Sequence, residues 1–231
     1  MKKIFLGAPG TGKGSYASRI APKRNIPHIS TGDLFRENIK NETEIGTEAK
    51  GYMERGELVP DEIVVGMLKE RIERNDCAGG FILDGFPRTI PQAEMLANIT
   101  DMDGVVNMNV PNEIIVQRLS SRISCKDCGE IFNLRDAKPK EEGICDKCQG
   151  PVVRRSDDEP EVVLNRLKTY EEKTAPLIDF YEKQGILKHV KCTSIDTPVE
   201  EMAQSVLGAI EEFAKELEEK IPEVLGLTDN E

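Results

Sequence analysis

Short apolar runs and longer stretches of helical spacing alternate along the chain. Residues 2–6 carry a short apolar run, Ile4-Phe5-Leu6, that reads as a buried strand, and residues 26–30, 81–84, 105–110 and 186–191 read as four further strands. Between them, helix is predicted from Ser15 to Ile20, from Leu34 (with Asp33 placed to cap it), from Ile63 to Ile72 and from Thr89 to Ile99. Pro111 opens a helix predicted to run through Arg118 and Arg122. Helical pattern resumes at Pro160 and passes Pro176, where a kink or break is expected because proline lacks an N–H. A long amphipathic helix follows over 198–220. Five strands alternating with helices predict an α/β fold with a mostly parallel sheet and right-handed crossovers. Ligands in such folds sit at the carboxyl ends of the strands. Gly7 to Lys13, Thr31, Asp84-Gly85 and the chain after Val110 should converge there.

One segment breaks the pattern. Residues 124–155 show little periodicity and are too few for an apolar core of their own, but they hold Cys125, Cys128, Cys145 and Cys148 as two C-x2-C pairs. Two such knuckles bring four thiolates to one tetrahedral ion, a closed structural zinc site with no position left for chemistry. Cys77 and Cys192 read as plain thiols.

Residues 7–15, Gly7-Ala-Pro-Gly10-Thr11-Gly12-Lys13-Gly14-Ser15, lie between the first strand and the first helix. Glycines let backbone N–H groups turn toward an anion, the helix N-terminus adds its dipole, and Lys13 supplies a full charge. Gly14 follows the lysine, so the hydroxyl of the usual phosphate-loop string arrives one residue late, at Ser15. The stretch predicts a nucleoside triphosphate site.

At 231 residues the chain suits one domain with elaborations, and 38% hydrophobic with 32% charged residues is ordinary for a globular protein. The net charge of −11 argues against a protein built to coat nucleic acid or an anionic membrane. No stretch approaches the ~20 apolar residues of a membrane span. The chain begins on its first strand with no leader before it, which points to the cytoplasm. In so acidic a chain, a polyphosphate site requires a focused cluster of cations. Arg36, Arg88, Arg118, Arg122, Arg155 and Arg166 are the candidates: Arg88 follows a strand end, Arg118 and Arg122 share a predicted helix face, and Arg155 and Arg166 follow the cysteine insert.

With these motifs in order, the chain from Met1 to about Ala214 resembles the adenylate kinases, P-loop nucleoside monophosphate kinases, in their long form with a zinc-bearing lid. The likeness rests on residues 7–14, Ser30-Thr-Gly-Asp-Leu-Phe-Arg36, Gly56-Glu-Leu-Val-Pro-Asp61, Phe81-Ile-Leu-Asp-Gly-Phe-Pro-Arg88, Arg155-Ser-Asp-Asp158 and Thr174-Ala-Pro-Leu177. It implies a three-layer fold with core 1–29, 60–121 and 160–231, an AMP-binding insert at 30–59 and a lid at 122–159. It implies Mg-ATP and AMP giving two ADP, reversibly; short loops and the lack of an evident exposed apolar stripe point to a monomer, and the charge balance to neither nucleic acid nor membrane as partner. By position, Gly10, Thr11, Gly12, Lys13, Gly14 and Ser15 would hold the ATP phosphates, with Arg118 and Phe132 at the ATP base. Thr31, Arg36, Arg88 and Gln92 would hold AMP, with Gly85 and the backbone near Glu57 and Val59 lining its base pocket. Arg122, Arg155 and Arg166 would clamp the transferring group, and Asp84 and Ser15 would hold Mg2+ through its waters.

The resemblance has local departures. Ser120-Ser121-Arg122-Ile123 stands where many relatives carry glycine and a second arginine, residues 190–195 lack a glycine near the ATP base, and 215–231 extend past the usual end. A kinase of another nucleoside monophosphate, or one with GTP as donor, is the neighbouring reading. A zinc-ribbon ATP-binding module for nucleic acid is a third, disfavoured by the charge balance and by the lack of interleaved aromatic and basic residues in 124–155.

Overall fold

A computed structural model describes residues 1–224 of the chain. Its elements run β1 (Lys2–Leu6), α1 (Lys13–Ile20), β2 (His28–Ser30), α2 (Thr31–Lys40), α3 (Glu44–Arg55), α4 (Asp61–Ile72), β3 (Phe81–Asp84), α5 (Ile90–Ala97), β4 (Gly104–Asn109) and α6 (Asn112–Ser120). Then come β5 (Arg122–Cys125), β6 (Ile131–Asn133), β7 (Val152–Val153), α7 (Pro160–Thr169), α8 (Pro176–Lys183), β8 (Leu187–Lys191) and α9 (Val199–Val224). Residues 225–231, the end of the C-terminal extension, lie outside the described residues.

Five strands form one parallel sheet in the order β2-β3-β1-β4-β8. Successive side chains of β1 point to opposite faces, and both faces are covered. Phe5 packs with Ile82, Val106 and Met108 beneath α1, α6 and α9, through Ala17, Ile115 and Val206. Ile4 and Leu6 pack with Leu83 and Val105 on the other face, with Leu68, Leu96 and Leu177 of α4, α5 and α8. Burial on both faces accounts for the consecutive apolar residues Ile4-Phe5-Leu6, Phe81-Ile82-Leu83 and Val105-Val106. Because the chain leaves β1 toward β2 and β3 on one side and reaches β4 and β8 on the other, the strand order reverses beside β1. The crevice above its carboxyl end is the topological switch point at which such sheets bind ligands.

Three local features correct or sharpen the sequence reading. Ser30, not Asp33, caps α2: its Oγ accepts from the Asp33 N–H at 3.2 Å, so the helix begins at Thr31. The interruption expected at Pro176 takes the form of a π-helical turn over Tyr170–Thr174 between α7 and α8, closed by the Ala175 N–H on the Tyr170 carbonyl at 2.8 Å. The wider turn accommodates a ring that would strike the preceding turn of an α-helix. The cysteine segment is more ordered than its pattern suggested. Strands β6-β5-β7 form a small antiparallel sheet, and Cys125, Phe132 and Cys145 bury one another with Ile123 and Val152.

Helices α2 and α3 meet without room for a side chain at Gly46, where a Cβ would overlap the Asn38 carbonyl. Gly46→Ala should therefore destabilise the protein by about 1–3 kcal/mol, although alanine favours helix elsewhere. Urea unfolding measures this, and an unchanged midpoint would contradict the packing described.

Candidate active site

The loop after β1 wraps its own lysine. Gly12 adopts φ 98° to start α1, and a Cβ there would lie 2.7 Å from the Tyr16 ring. Lys13 Nζ donates to the carbonyls of Gly7 (2.7 Å) and Ala8 (2.8 Å). Burial pushes Lys13 down to about 8; the Asp84 charge opposes this, while Arg88, Arg166 and Arg122 reinforce it. Gly14 lies close to a carboxylate: a Cβ there would come within 3.2 Å of Asp84 Oδ2, a tight contact. Glycine lets the first turn of α1 approach the carboxylate at the end of β3.

Gly10, Gly12, Lys13, Gly14 and Ser15 line a cleft of about 460 Å³ together with Thr31, Arg36, Glu57, Val59, Asp84, Gly85, Arg88, Gln92, Arg118, Arg122, Phe132, Arg155 and Arg166. Of the six loop residues expected at the ATP phosphates, Thr11 alone is not in this lining. It is buried, and its Oγ1 donates to the Ala8 carbonyl at 3.0 Å, bracing the loop from beneath.

The guanidiniums are held in place by short contacts. Arg122 grips Asp158 with two N–H groups, Nε reaching Oδ2 at 2.7 Å. Arg166 Nη1 donates to the Asp157 carbonyl (2.6 Å), lies 3.0 Å from Asp157 Oδ2 and reaches Asp158 Oδ1 at 3.2 Å. Arg155 Nε donates to Ser124 Oγ at 2.9 Å, and Arg88 Nε to the Gly85 carbonyl at 2.7 Å. Arg36 pairs with Asp33. Burial and neighbouring cations, Arg166 foremost, push Arg88 down to about 10; burial with Arg36 and Arg122 pushes Arg155 to about 9. Arg88 and Arg155 are still charged at neutral pH. Burial raises Asp84, but the His28 hydrogen bond (3.3 Å), the His28 charge, Lys13 and Arg88 outweigh it and hold the carboxyl below its usual range. Burial likewise raises Asp157, and Arg166, Arg36, Arg122 and Arg155 outweigh it.

Arg118 and Arg122 do not share a helix face. Helix α6 ends at Ser120, the Ser121 hydroxyl donates back to the Gln117 carbonyl at 2.7 Å, and Arg122 opens β5 opposite Asn133. Serine hydroxyls compete for the carbonyls a continuing helix would need. Arg118 instead turns to the loop, Nη1 donating to the Thr11 carbonyl (3.3 Å) and Nη2 meeting Cys192 Sγ (3.2 Å). Cys192 is thus a buried partner of a cleft arginine, and it lies in the stretch that lacks the glycine of many relatives.

On the other side of the cleft, Thr31 Oγ1 donates to the Gly85 carbonyl at 2.9 Å. Gln92 is 1% exposed and spans the Arg88 N–H and the Asp61 carboxylate, both at 2.7 Å. The Val59 side chain belongs to the core, and the Glu57 carboxylate is taken by Arg55, which leaves their backbone for the cleft. Phe132 lines the cleft while packed in the small cysteine cluster. Sequence reading gave no site role to His28, Asp61, Asp157 and Asp158, although the last three stand in the quoted motifs. The two adjacent acids beside Arg155 were a usable signal for the last pair, whereas nothing in sequence spacing pointed to the first two.

The four cysteines converge. Their Sγ atoms all lie within 4.8 Å of one another, with Cys125–Cys148 at 3.4 Å and Cys128–Cys145 at 3.6 Å. Tetrahedral ligation with ~2.3 Å metal–sulfur bonds sets sulfurs about 3.8 Å apart, so this cluster can hold a metal ion. The knuckle also reaches across the cleft, where Asp127 Oδ1 meets Lys40 Nζ of α2 at 3.2 Å.

Residues 5–186 match the family model described as adenylate kinase. The chain is 53% identical to the adenylate kinase of Lachnospira eligens over 84% of its own length and 93% of that protein's. It is 49% identical to the adenylate kinase of Carboxydothermus hydrogenoformans, over 91% of this chain and all of the relative.

Lys13 carries a prediction that needs only an inorganic ligand. A bound polyanion favours the charged lysine, so binding takes up a proton once the free protein is above its value of about 8. Affinity for tripolyphosphate should therefore fall as pH rises above about 8, by up to about tenfold per unit. Calorimetry between pH 7 and 9.5 reads this, and a flat affinity would contradict it.

Proposed function

The chain belongs to the adenylate kinase family, and we propose that it transfers the terminal phosphoryl group of Mg-ATP to AMP, giving two ADP. The observation that carries this reading is the set of fixed cations around one cleft: Lys13 on the loop, Arg88 beside β3, and Arg122, Arg155 and Arg166 from the far side. Phosphoryl transfer asks little covalent chemistry of a protein. Positioning the two ends in line and neutralising charge on the transferred oxygens supply most of the acceleration. Lys13 and the loop N–H groups hold the donor phosphates, Arg36 and Arg88 hold the acceptor's, and Arg122, Arg155 and Arg166 face the group in transit. Asp157 and Asp158 hold Arg166 and Arg122, and the Ser124 hydroxyl holds Arg155, so little reorganisation is required as charge moves. The insert 30–59 and the lid 122–159 close over the cleft and exclude water, which would otherwise compete as acceptor.

The residues present fit the ions this chemistry requires. Asp84, ionised at neutral pH, and Ser15 offer hard oxygen donors beside the loop, and would hold Mg2+ through its waters. When bound, Mg2+ draws charge off the donor phosphates. The four-sulfur cluster is the donor set of structural zinc, which would stiffen a lid with only a small core. The same reading makes the enzyme a monomer of the cytoplasm. All six cysteines are unpaired, which suits a reducing compartment. Among the described residues no helix is long and apolar enough to cross a membrane.

Incubation with Mg-ATP and each of AMP, CMP, UMP and GMP should yield ADP fastest with AMP, and Lys13→Met should lower kcat/KM by about 10²–10³-fold. Phosphate release indifferent to the monophosphate would overturn the reading. Chelating the metal should lower the melting temperature and expose lid amides to hydrogen exchange before those of residues 7–15; equal melting of metal-loaded and stripped protein would contradict the structural role.

A further inference from the structure

A carboxamide reads a base by which of its two ends faces which edge. Adenine offers a donor at its 6-amino group beside an acceptor at N1. A 6-oxopurine presents the reverse, an acceptor at O6 beside a donor at N1. Gln92 could match either purine, depending only on the sense of its amide.

Here that sense is fixed from both ends. The Arg88 backbone N–H can only donate, and it meets Oε1 at 2.7 Å. The Asp61 carboxylate can only accept, and its Oδ1 meets Nε2 at 2.7 Å. Asp61 is itself held: its Oδ2 accepts from Thr89 Oγ1 at 3.1 Å, and that hydroxyl accepts the Gln92 backbone N–H at 3.1 Å as the cap of α5. Asp61 also stands in the first turn of α4, where the helix N-terminus favours a negative side chain. Reversing the amide would set NH2 against N–H and oxygen against carboxylate inside a buried pocket. With one N–H and one lone pair taken, the amide retains one of each, and Gln92 lines the cleft beside Thr31, Gly85 and Arg88.

We propose that Asp61 is a positioning residue for base selection: with the Arg88 N–H it locks the Gln92 amide in the sense that accepts a 6-aminopurine monophosphate and rejects a 6-oxopurine one. The inference rests on the reading of this side of the cleft as the acceptor's base pocket. Asp61 touches no substrate and acts through Gln92.

The test measures kcat and KM of the full-length enzyme for AMP and IMP in wild type, Asp61→Leu and Asp61→Asn. Loss of one hydrogen bond to a charged group corresponds to about tenfold, so Asp61→Leu should narrow the AMP-to-IMP ratio of kcat/KM by about tenfold, mainly through KM for AMP. Asp61→Asn keeps a carbonyl oxygen for Nε2 and should return the ratio to within about threefold of wild type. If Asp61→Leu melts early, Asp61→Ala adds no bulk and carries the same comparison. An equal loss for AMP and IMP, with the ratio intact, would overturn the proposal and leave Asp61 a structural residue. A wild-type enzyme that does not phosphorylate AMP would instead overturn the pocket reading on which it stands.

Discussion

Like charges crowded at one edge of the sheet are the constraint on which the rest of the structure depends. Lys13, Arg36, Arg88, Arg122, Arg155 and Arg166 line a single cleft in a chain whose net charge is −11. Left free, such groups would move apart into solvent. They are held by acceptors that are themselves buried or anchored: Asp158 between Arg122 and Arg166, the Gly85 carbonyl at Arg88, and the loop carbonyls around Lys13. Burial and mutual repulsion push Lys13, Arg88 and Arg155 below their ordinary values, which is the signature of a site short of negative charge. A polyphosphate supplies that charge. Because the cations are already placed, its binding energy is not spent on gathering them.

The architecture follows from this requirement and from ordinary burial. A parallel sheet covered on both faces leaves only strand ends for chemistry, and the reversal of strand order beside β1 opens a crevice there. β1 delivers the loop, β2 delivers Thr31, and β3 delivers Asp84 and Gly85 to that edge. The cysteine segment adds cations from the opposite side. Its small sheet carries Arg122 on β5 and Ser124, which holds Arg155. A segment with so few apolar neighbours depends on its four convergent sulfurs to keep that geometry.

Much of this was legible in the sequence, because burial on both faces writes itself as apolar runs and backbone needs write themselves as glycines. The strands, the phosphate loop and the paired cysteines were read that way. What escaped depended on side-chain choices between near-equal partners. Ser121 could have continued α6, but its hydroxyl returned to Gln117 and sent Arg122 into a strand. Pro176 announced the interruption between α7 and α8 but not its form, a π turn. Gly14 departed from the usual loop string, and its closeness to the Asp84 carboxylate cannot be read from spacing. The sense of the Gln92 amide has no trace in spacing; it is set by Asp61, thirty-one positions away.

The central claim is that phosphate charge, rather than the base, relieves the strain of this cleft. Thermal unfolding of the protein with ATP, with AMP and with adenosine at equal concentration tests it most directly. Ligands that bind only the folded state raise its stability by RT ln(1 + [L]/Kd), about 2.7 kcal/mol at a hundredfold excess over Kd. The account predicts a clear rise in Tm with each nucleotide, larger for ATP, and little or none with adenosine. Equal stabilisation by adenosine would contradict it.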